Sequence, residues 1–156
     1  MNNTFLKWAG GKNWFVRTQG YRIPKQYNRY IDPFLGGGSL YFYLEPPQAI
    51  INDINEELIT TYQAIKDSWE DVERNLKIHA HKHNREYYYI MRKIKTRKNT
   101  TIAARMIYLN RTCFNGIYRV NARGNFNVPI GTHNNVLLPT DEFQKRSNIL
   151  QNAQII

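Results

Sequence analysis

YIDPFLGGGSL, residues 30–40, is the stretch of this chain that decides its fold. Tyr30–Asp32 has the apolar character of a short buried strand, and a helix is predicted to begin at Ser39. The three glycines before it (residues 36–38) let backbone amides approach a ligand closely, because glycine has no Cβ atom. A strand, a glycine-rich turn and a helix in this order are typical of nucleotide-binding α/β folds.

A second acidic residue extends this pattern. Asp53 follows the apolar run at residues 49–51 and lies 21 residues after Asp32. In α/β folds a carboxylate about 20 positions beyond the glycine-rich turn accepts the ribose hydroxyls of a nucleotide. The two features together favour an adenosine-type cofactor over a plain turn.

The order of the predicted elements indicates a parallel sheet with right-handed crossovers. Strands are predicted at residues 30–32 and 49–51, and a helix follows each of them. The second helix starts at Asn55 and carries apolar residues at helical spacing, namely Leu58, Ile59, Tyr62 and Ile65. Further helices are predicted beyond Ser68, with a basic loop at residues 93–100, loops and one hairpin at residues 110–132, and the start of a strand at residues 154–156.

Composition narrows the class of protein. The chain has 156 residues, enough for one domain, and a formal net charge of +10. Between Arg74 and Thr140 there are thirteen lysines and arginines, and the only acidic residue is Glu86. This asymmetry favours nucleic acid as a partner over a merely well-solvated basic surface. No apolar run is long enough for a membrane span, and the single cysteine, Cys113, fits a reducing, cytoplasmic location.

Two glycine-containing segments carry side chains suited to binding. Residues 5–12, FLKWAGGK, form a tight turn that lacks the spacing of a phosphate loop; the turn suits a cofactor carboxylate as well as a purely structural role. Residues 110–121, NRTCFNGIYRVN, combine guanidinium, amide and aromatic groups. Arginine can bond guanine through two hydrogen bonds and an aromatic ring can enter a base stack. Taken alone, this segment fits a polar surface loop with a few buried aromatics better than a functional site.

The histidines do not form a convincing metal motif. His79 and His83 share one face of a helix, whereas His81 points elsewhere, and no carboxylate or cysteine nearby in sequence completes a ligand set. The pattern favours a solvated basic helix. Cys113 has no evident base partner, so a catalytic thiol is not expected.

Together these motifs resemble the Dam-type DNA adenine methyltransferases (the D12 class). The resemblance covers residues 5–156 and depends on five blocks in order: FLKWAGGK (5–12), YIDPFLGGGSL (30–40), INDIN (51–55), NRTCFNGIYRVN (110–121) and GNFNVPIG (124–131). It implies an α/β, Rossmann-like fold that uses S-adenosylmethionine and no metal, with a helical DNA-recognition insertion. The implied segments are 1–67 for the cofactor motifs, 68–140 for target recognition, and 141–156 for a return to the catalytic domain.

The resemblance also assigns residues. Those implied to bind the cofactor are Trp8, Lys12, Asp32, Phe34, Gly36, Gly37, Gly38 and Asp53. Those implied to contact double-stranded DNA are Lys7, Arg111, Phe114, Asn115, Ile117, Arg119, Asn121 and Pro129. Because the reading positions match the GATC-specific branch of the family, GATC is the expected target.

One family motif does not occur in this sequence. An Asp-Pro-Pro-Tyr segment should hold the flipped adenine, and the only Pro-Pro pair is Pro46-Pro47. The expectation is therefore the first half of a methyltransferase, with its first strand open to a complementary C-terminal fragment. A non-catalytic, sequence-specific DNA-binding protein is the alternative. An RNA-binding module fits the charge but lacks a suitable aromatic pattern.

Overall fold

The structure is a computed structural model, and it describes residues 4–156. The helices are α1 (Asn13–Gln19), α2 (Ser39–Leu44), α3 (Glu56–Lys82), α4 (Arg85–Lys93), α5 (Asn99–Thr112) and α6 (Phe143–Leu150). The strands are β1 (Tyr30–Asp32), β2 (Ala49–Ile51) and β3 (Ala153–Ile155). None of the helices in the described range is long and apolar enough to cross a membrane.

The three strands form one parallel sheet in the order β1-β2-β3. Tyr30 pairs with Ala49, and Ala49 pairs in turn with Ala153. This confirms the predicted α/β fold, including the strand at the end of the sequence. Within residues 4–156, β1 lies at one edge of the sheet, and Ile31 at its centre is 62% exposed.

Helix α3 begins where its sequence predicts. The Asn55 side chain accepts a hydrogen bond from the Leu58 amide (2.9 Å) and so caps the first turn. The helix bends sharply at Ser68, whose backbone angles (φ −155°, ψ 48°) are not helical. The predicted boundary between segments 1–67 and 68–140 falls at this bend; the boundary itself stays a prediction, and residues 1–3 lie outside the described range.

The core lies where α3 packs against α5 and α6. Leu58, Tyr62 and Ile65 of α3 are fully buried, as their helical spacing predicts. From α5 the residues at 103–109 are buried almost without interruption, so this helix is enclosed on all sides. A helix that is enclosed in this way anchors whatever follows it, and the recognition block begins directly at its end.

The predicted loops were too long at their helical ends. Lys93 belongs to α4, and Asn99 and Thr100 belong to α5, so the basic loop is shorter than residues 93–100. Helix α5 continues to Thr112, so residues 110–112 are helical and not part of the loop. Helix α6 was not predicted, because its sequence FQKRSNIL has few apolar residues and it forms by packing against α3. The predicted hairpin is present: Val120 and Phe126 pair in an antiparallel bridge across a turn held by Asn121.

The histidine helix is not simply solvated, which corrects that prediction. His79 is only 8% exposed; its Nδ1 lies 2.7 Å from the Tyr87 hydroxyl, and its ring stacks on Tyr108 at 5.0 Å. His83 Nδ1 lies 2.9 Å from the Tyr108 hydroxyl. Among residues 4–156 no group of three or more His, Cys, Asp or Glu side chains could hold a metal ion. His79 and His83 therefore serve packing between α3, α4 and α5, whereas His81 is exposed.

Burial raises the pKa of the Cys113 thiol to about 11, and backbone hydrogen bonds offset this only in part. A thiol with this pKa is protonated at neutral pH and is a poor nucleophile. This agrees with the expectation that Cys113 has no catalytic role.

We expect stability to fall between pH 7 and pH 5 because of His79. Burial, followed by the nearby charges of Lys82 and Arg105, lowers the pKa of His79 to about 4. The unfolded chain takes up a proton near pH 6.5, whereas the folded chain resists it, so the loss by pH 5 is about 2 kcal/mol. Urea denaturation at both pH values measures it.

His79→Gln should flatten this pH dependence. The matched control is His81→Gln, because His81 is exposed on the same helix and its replacement leaves the buried cluster untouched. Equal pH slopes for wild type and His79→Gln would contradict the assignment.

Candidate cofactor pocket and DNA-reading surface

A pocket of about 260 Å³ lies where the N-terminal turn meets the ends of β1 and β2. Five of the predicted cofactor residues line it: Trp8, Lys12, Phe34, Gly36 and Asp53. They come from three separate blocks of sequence, which the fold brings together at the carboxyl ends of the strands. Ligands of open α/β sheets bind in this place. Of the remaining three predicted residues, Gly37 lines a neighbouring cavity of about 470 Å³, and Asp32 and Gly38 are buried behind the pocket wall.

Asp53 joins the two strand ends. Its Oδ2 accepts a hydrogen bond from the Gly36 amide (2.9 Å), and its Oδ1 accepts one from the Asn55 amide (3.0 Å). A carboxylate has about four acceptor positions, so both oxygens keep capacity for ligand hydroxyls. The Tyr62 hydroxyl, which sequence analysis did not assign, donates to the Gly36 carbonyl (2.9 Å) and fixes the same turn from below.

Lys12 and Asp32 form an ion pair at the pocket wall. Lys12 Nζ lies 3.1 Å from Asp32 Oδ2 and donates to the Phe34 carbonyl (2.8 Å). Asp32 also accepts from the Tyr30 hydroxyl (2.7 Å), and burial together with this carboxylate raises the pKa of Tyr30. Asp32 is thus enclosed by donors and shapes the turn.

Trp8 covers the glycine turn. Gly36 has a positive φ of 54°, and a Cβ atom there would lie 2.9 Å from Trp8 Cδ1, closer than packing allows. Only glycine lets the turn and the indole approach in this way. On its other side Trp8 stacks on Tyr118, with ring centroids 5.1 Å apart.

The recognition block presents its predicted DNA-contacting residues to solvent. Phe114 is 53% exposed and Ile117 is 42% exposed. The other exposed members of the set are Asn115, Arg119, Asn121, Pro129 and, from the N-terminal turn, Lys7. The Arg119 Nε donates to Asn127 Oδ1 (2.9 Å), which orients the guanidinium. Exposed amide, guanidinium and apolar groups on one block can contact base edges.

A basic cavity of about 350 Å³ lies beside this block. Arg92, Lys93 and Lys95 line one side of it, and the hairpin residues 124–127 line the other. Lys98, by contrast, points to α3 and lies 3.6 Å from Asp71. Positive charge is therefore concentrated next to the hairpin.

Residues 8–156 match the family model of the D12 class N6 adenine-specific DNA methyltransferases. The chain belongs to this family. Membership confirms the resemblance on which the site predictions depend and agrees with the α/β architecture. The roles of individual residues stay predictions.

The chain is similar to type II methyltransferases and to DNA adenine methylases. The chain is 39% identical over 158 residues to the type II methyltransferase M1.LlaDCHI of Lactococcus lactis subsp. cremoris, covering 97% of the chain and 56% of the relative. It is 36% identical to the type II methyltransferase M.MjaIII of Methanocaldococcus jannaschii, covering 97% and 60%. It is 33% identical to the DNA adenine methylase of Serratia marcescens, covering 99% and 58%. The chain thus spans somewhat more than half the length of these relatives.

Arg111 differs from the other members of the predicted DNA-contacting set. Its side chain is only 6% exposed, and it forms a two-pronged ion pair with Asp141 in which Nη1 lies 2.9 Å from Oδ2. Nη1 and Nη2 also donate to the carbonyls of Val136 and Phe5. Arg111 therefore joins the N-terminal segment to the segment before α6. It is not part of the proposed DNA-reading set.

Asn110 positions the N-terminal turn that carries Lys7 and Trp8. The sequence analysis assigned it no role. This residue is 2% exposed, accepts from the Lys7 amide (2.9 Å) and donates to the Lys7 carbonyl (2.8 Å). The backbone beside Trp8 is thereby fixed to the end of α5. An amide inside the otherwise apolar pattern of α5 was the available signal, since asparagine is unfavourable within helices unless its side chain has a specific partner.

Gly36→Ala should destabilise the protein more than the matched change Gly124→Ala. Both glycines have a positive φ, which costs alanine about 1–2 kcal/mol. A Cβ at Gly124 meets nothing within 4 Å, whereas at Gly36 it meets Trp8. The additional loss at Gly36 should be about 1–3 kcal/mol, as in overpacked cores. Urea denaturation measures both variants, and equal losses would show that Trp8 yields without cost.

Proposed function

We propose that this chain forms the cofactor-binding and target-recognition parts of a DNA adenine N6-methyltransferase that uses S-adenosylmethionine. One observation carries the proposal: three sequence blocks converge on a single pocket, and the segment that closes this pocket also contacts the exposed recognition block. A plain structural turn would not require Gly36, Trp8 and Asp53 to meet.

The pocket residues fit the cofactor by their chemistry. Asp53 is the acceptor for the ribose hydroxyls, since its oxygens lie at the end of β2 and keep free lone pairs. The turn at Gly36 and the indole of Trp8 confine the methionine portion, and Lys12 supplies positive charge beside it. S-adenosylmethionine supplies the methyl group. The protein residues bind it and orient it.

For the target we propose GATC in double-stranded DNA. Arg119 reads a guanine, Ile117 and Pro129 contact apolar base edges, and Phe114 enters the base stack. Asn115, Asn121 and Lys7 complete the set. Their exposure supports this role, and so does the hydrogen bond that Arg119 Nε donates to Asn127 Oδ1, which orients the guanidinium.

The adenine-holding step belongs to a complementary methyltransferase portion. The amine of adenine needs acceptors for its hydrogens and a ring beneath the base, and an Asp-Pro-Pro-Tyr segment would supply both. We propose that such a portion pairs with β1, which is the edge strand of the sheet in residues 4–156, and that the protein acts in the cytoplasm. Methyl transfer to duplex DNA is then expected only when that portion is present.

The cofactor assignment is tested by calorimetric titration with S-adenosylmethionine. Asp53→Ala removes both ribose acceptors and should weaken binding about tenfold or more, because hydrogen bonds to charged groups contribute about 1.5–3 kcal/mol each. Asp53→Asn, which keeps one acceptor oxygen, should have an intermediate effect. The control is Asp67→Ala, an exposed carboxylate on α3. Unchanged binding by Asp53→Ala would remove Asp53 from the site.

Base reading is tested by comparing Arg119→Ala with Lys95→Ala. Arg119→Ala should reduce discrimination at one base pair by about 1–3 kcal/mol. Lys95→Ala should weaken binding to GATC and scrambled duplexes alike and flatten the salt dependence. Lys98→Ala should do so less, because Lys98 lies 3.6 Å from Asp71 and not in the basic cavity. Fluorescence anisotropy with both duplexes at two salt concentrations separates the two patterns. If Arg119→Ala lost affinity equally for both duplexes, the reading role would be wrong.

A further inference from the structure

Tyr118 lies between two proposed base-reading residues but faces the other way. Ile117 and Arg119 are exposed, whereas Tyr118 is half-buried and packs against the core. The backbone at Ile117 is extended (φ −84°, ψ 118°), and successive side chains of an extended segment point to opposite sides. Tyr118 is therefore the inward-facing residue of the base-reading segment.

The ring of Tyr118 packs against Trp8, a residue of the cofactor-pocket wall. Its ring stacks on Trp8 with centroids 5.1 Å apart and planes inclined by 26°, and Phe126 of the hairpin lies 5.6 Å from it on another side. The Tyr118 hydroxyl donates to Glu57 Oε2 (3.1 Å) near the start of α3. One ring thus contacts the pocket wall, the hairpin and the first turn of α3.

On the side away from Tyr118, Trp8 packs against the glycine turn. Its Cδ1 lies only 2.9 Å from the place that a Cβ of Gly36 would occupy. Gly36, Trp8, Tyr118 and Phe126 thus pack in a row from the end of β1 to the hairpin. Trp8 and Tyr118 are stacked, whereas the planes of Tyr118 and Phe126 are inclined by 56°. Rings packed this closely cannot shift independently, since packing inside proteins is close to that of organic crystals.

We propose that Tyr118 is a positioning residue that couples occupation of the cofactor pocket to the placement of the base-reading segment. The inference rests on the proposed function of both sites. A cofactor that orders Trp8 also orders Tyr118, and with it the exposed neighbours Ile117 and Arg119. Part of the ordering that DNA binding requires is then already complete. By linkage the coupling is reciprocal, so DNA tightens cofactor binding by the same factor.

The experiment measures this coupling factor. The affinity of the protein for a GATC duplex is determined without cofactor and with saturating S-adenosylmethionine, and the ratio of the two dissociation constants is the coupling. For wild type we expect tightening of about fivefold or more, the lower range of known couplings. Tyr118→Ala should reduce the ratio to about one, while each ligand still binds alone.

Two further variants separate stacking from other effects. Tyr118→Phe keeps the ring and loses the hydrogen bonds of the hydroxyl, including the one to Glu57, so it should retain most of the coupling. Tyr21→Ala removes an exposed tyrosine that lines neither the cofactor pocket nor the basic cavity, and it should leave the ratio unchanged. Loss of coupling in the alanine variant with rescue by phenylalanine is the result that a merely structural role would not produce.

A measurement on wild type covers the case in which Tyr118→Ala does not fold. Cofactor alone should slow hydrogen exchange at the amides of Asn121 and Asn127, which bond across the hairpin to Asn125 and Arg119. Slowing confined to the glycine turn would overturn the inference.

The outcomes distinguish the inference from the proposed function. If both ligands bind and Tyr118→Ala couples them as wild type does, the positioning role of Tyr118 is wrong and the two sites stand. If the protein binds neither ligand, the proposed function fails and the inference fails with it.

Discussion

The Asn110 side chain makes the hydrogen bonds on which both candidate sites depend. It accepts from the Lys7 amide and donates to the Lys7 carbonyl, as a neighbouring strand would. Both hydrogen bonds are part-buried, and a buried polar group without a partner costs about 1–3 kcal/mol. Since Asn110 belongs to the buried helix α5, the N-terminal turn is held by the most enclosed element of the fold. Trp8 follows Lys7 directly and so acquires a fixed position over the glycine turn.

The cofactor pocket and the surface beside the hairpin differ in their charge. At the pocket, Asp53 and Asp32 are surrounded by amide, hydroxyl and ammonium donors, which stabilise carboxylates at a strand end. Beside the hairpin, Arg92, Lys93 and Lys95 face a cavity whose one lining carboxylate is Glu57. Glu57 is engaged by the Tyr118 hydroxyl and lies 3.6 Å from the buried Arg105. The positive potential therefore extends towards solvent, where a polyanion would lie.

The parts of the fold that sequence predicted are those set by local chemistry. The strands at Tyr30–Asp32 and Ala49–Ile51 are short apolar runs bounded by turn residues, and the cap at Asn55 acts within three residues. Long-range contacts decided the rest. Arg111 looked like a DNA ligand until Asp141, 30 residues away, turned out to hold it in the interior. Helix α6 forms through its packing on α3, which no local pattern shows.

The contrast between Tyr118 and its neighbours shows why a recognition block can be assigned from its motif but not residue by residue. The motif places an aromatic residue between Ile117 and Arg119 without saying which side of the segment faces DNA. Alternation along an extended backbone settles this: if Arg119 points outward, Tyr118 must point inward. Under the proposed function, substitution at the outward positions changes the contacts with DNA. Substitution at Tyr118 instead changes how the whole segment rests on Trp8, so its effects reach the cofactor pocket.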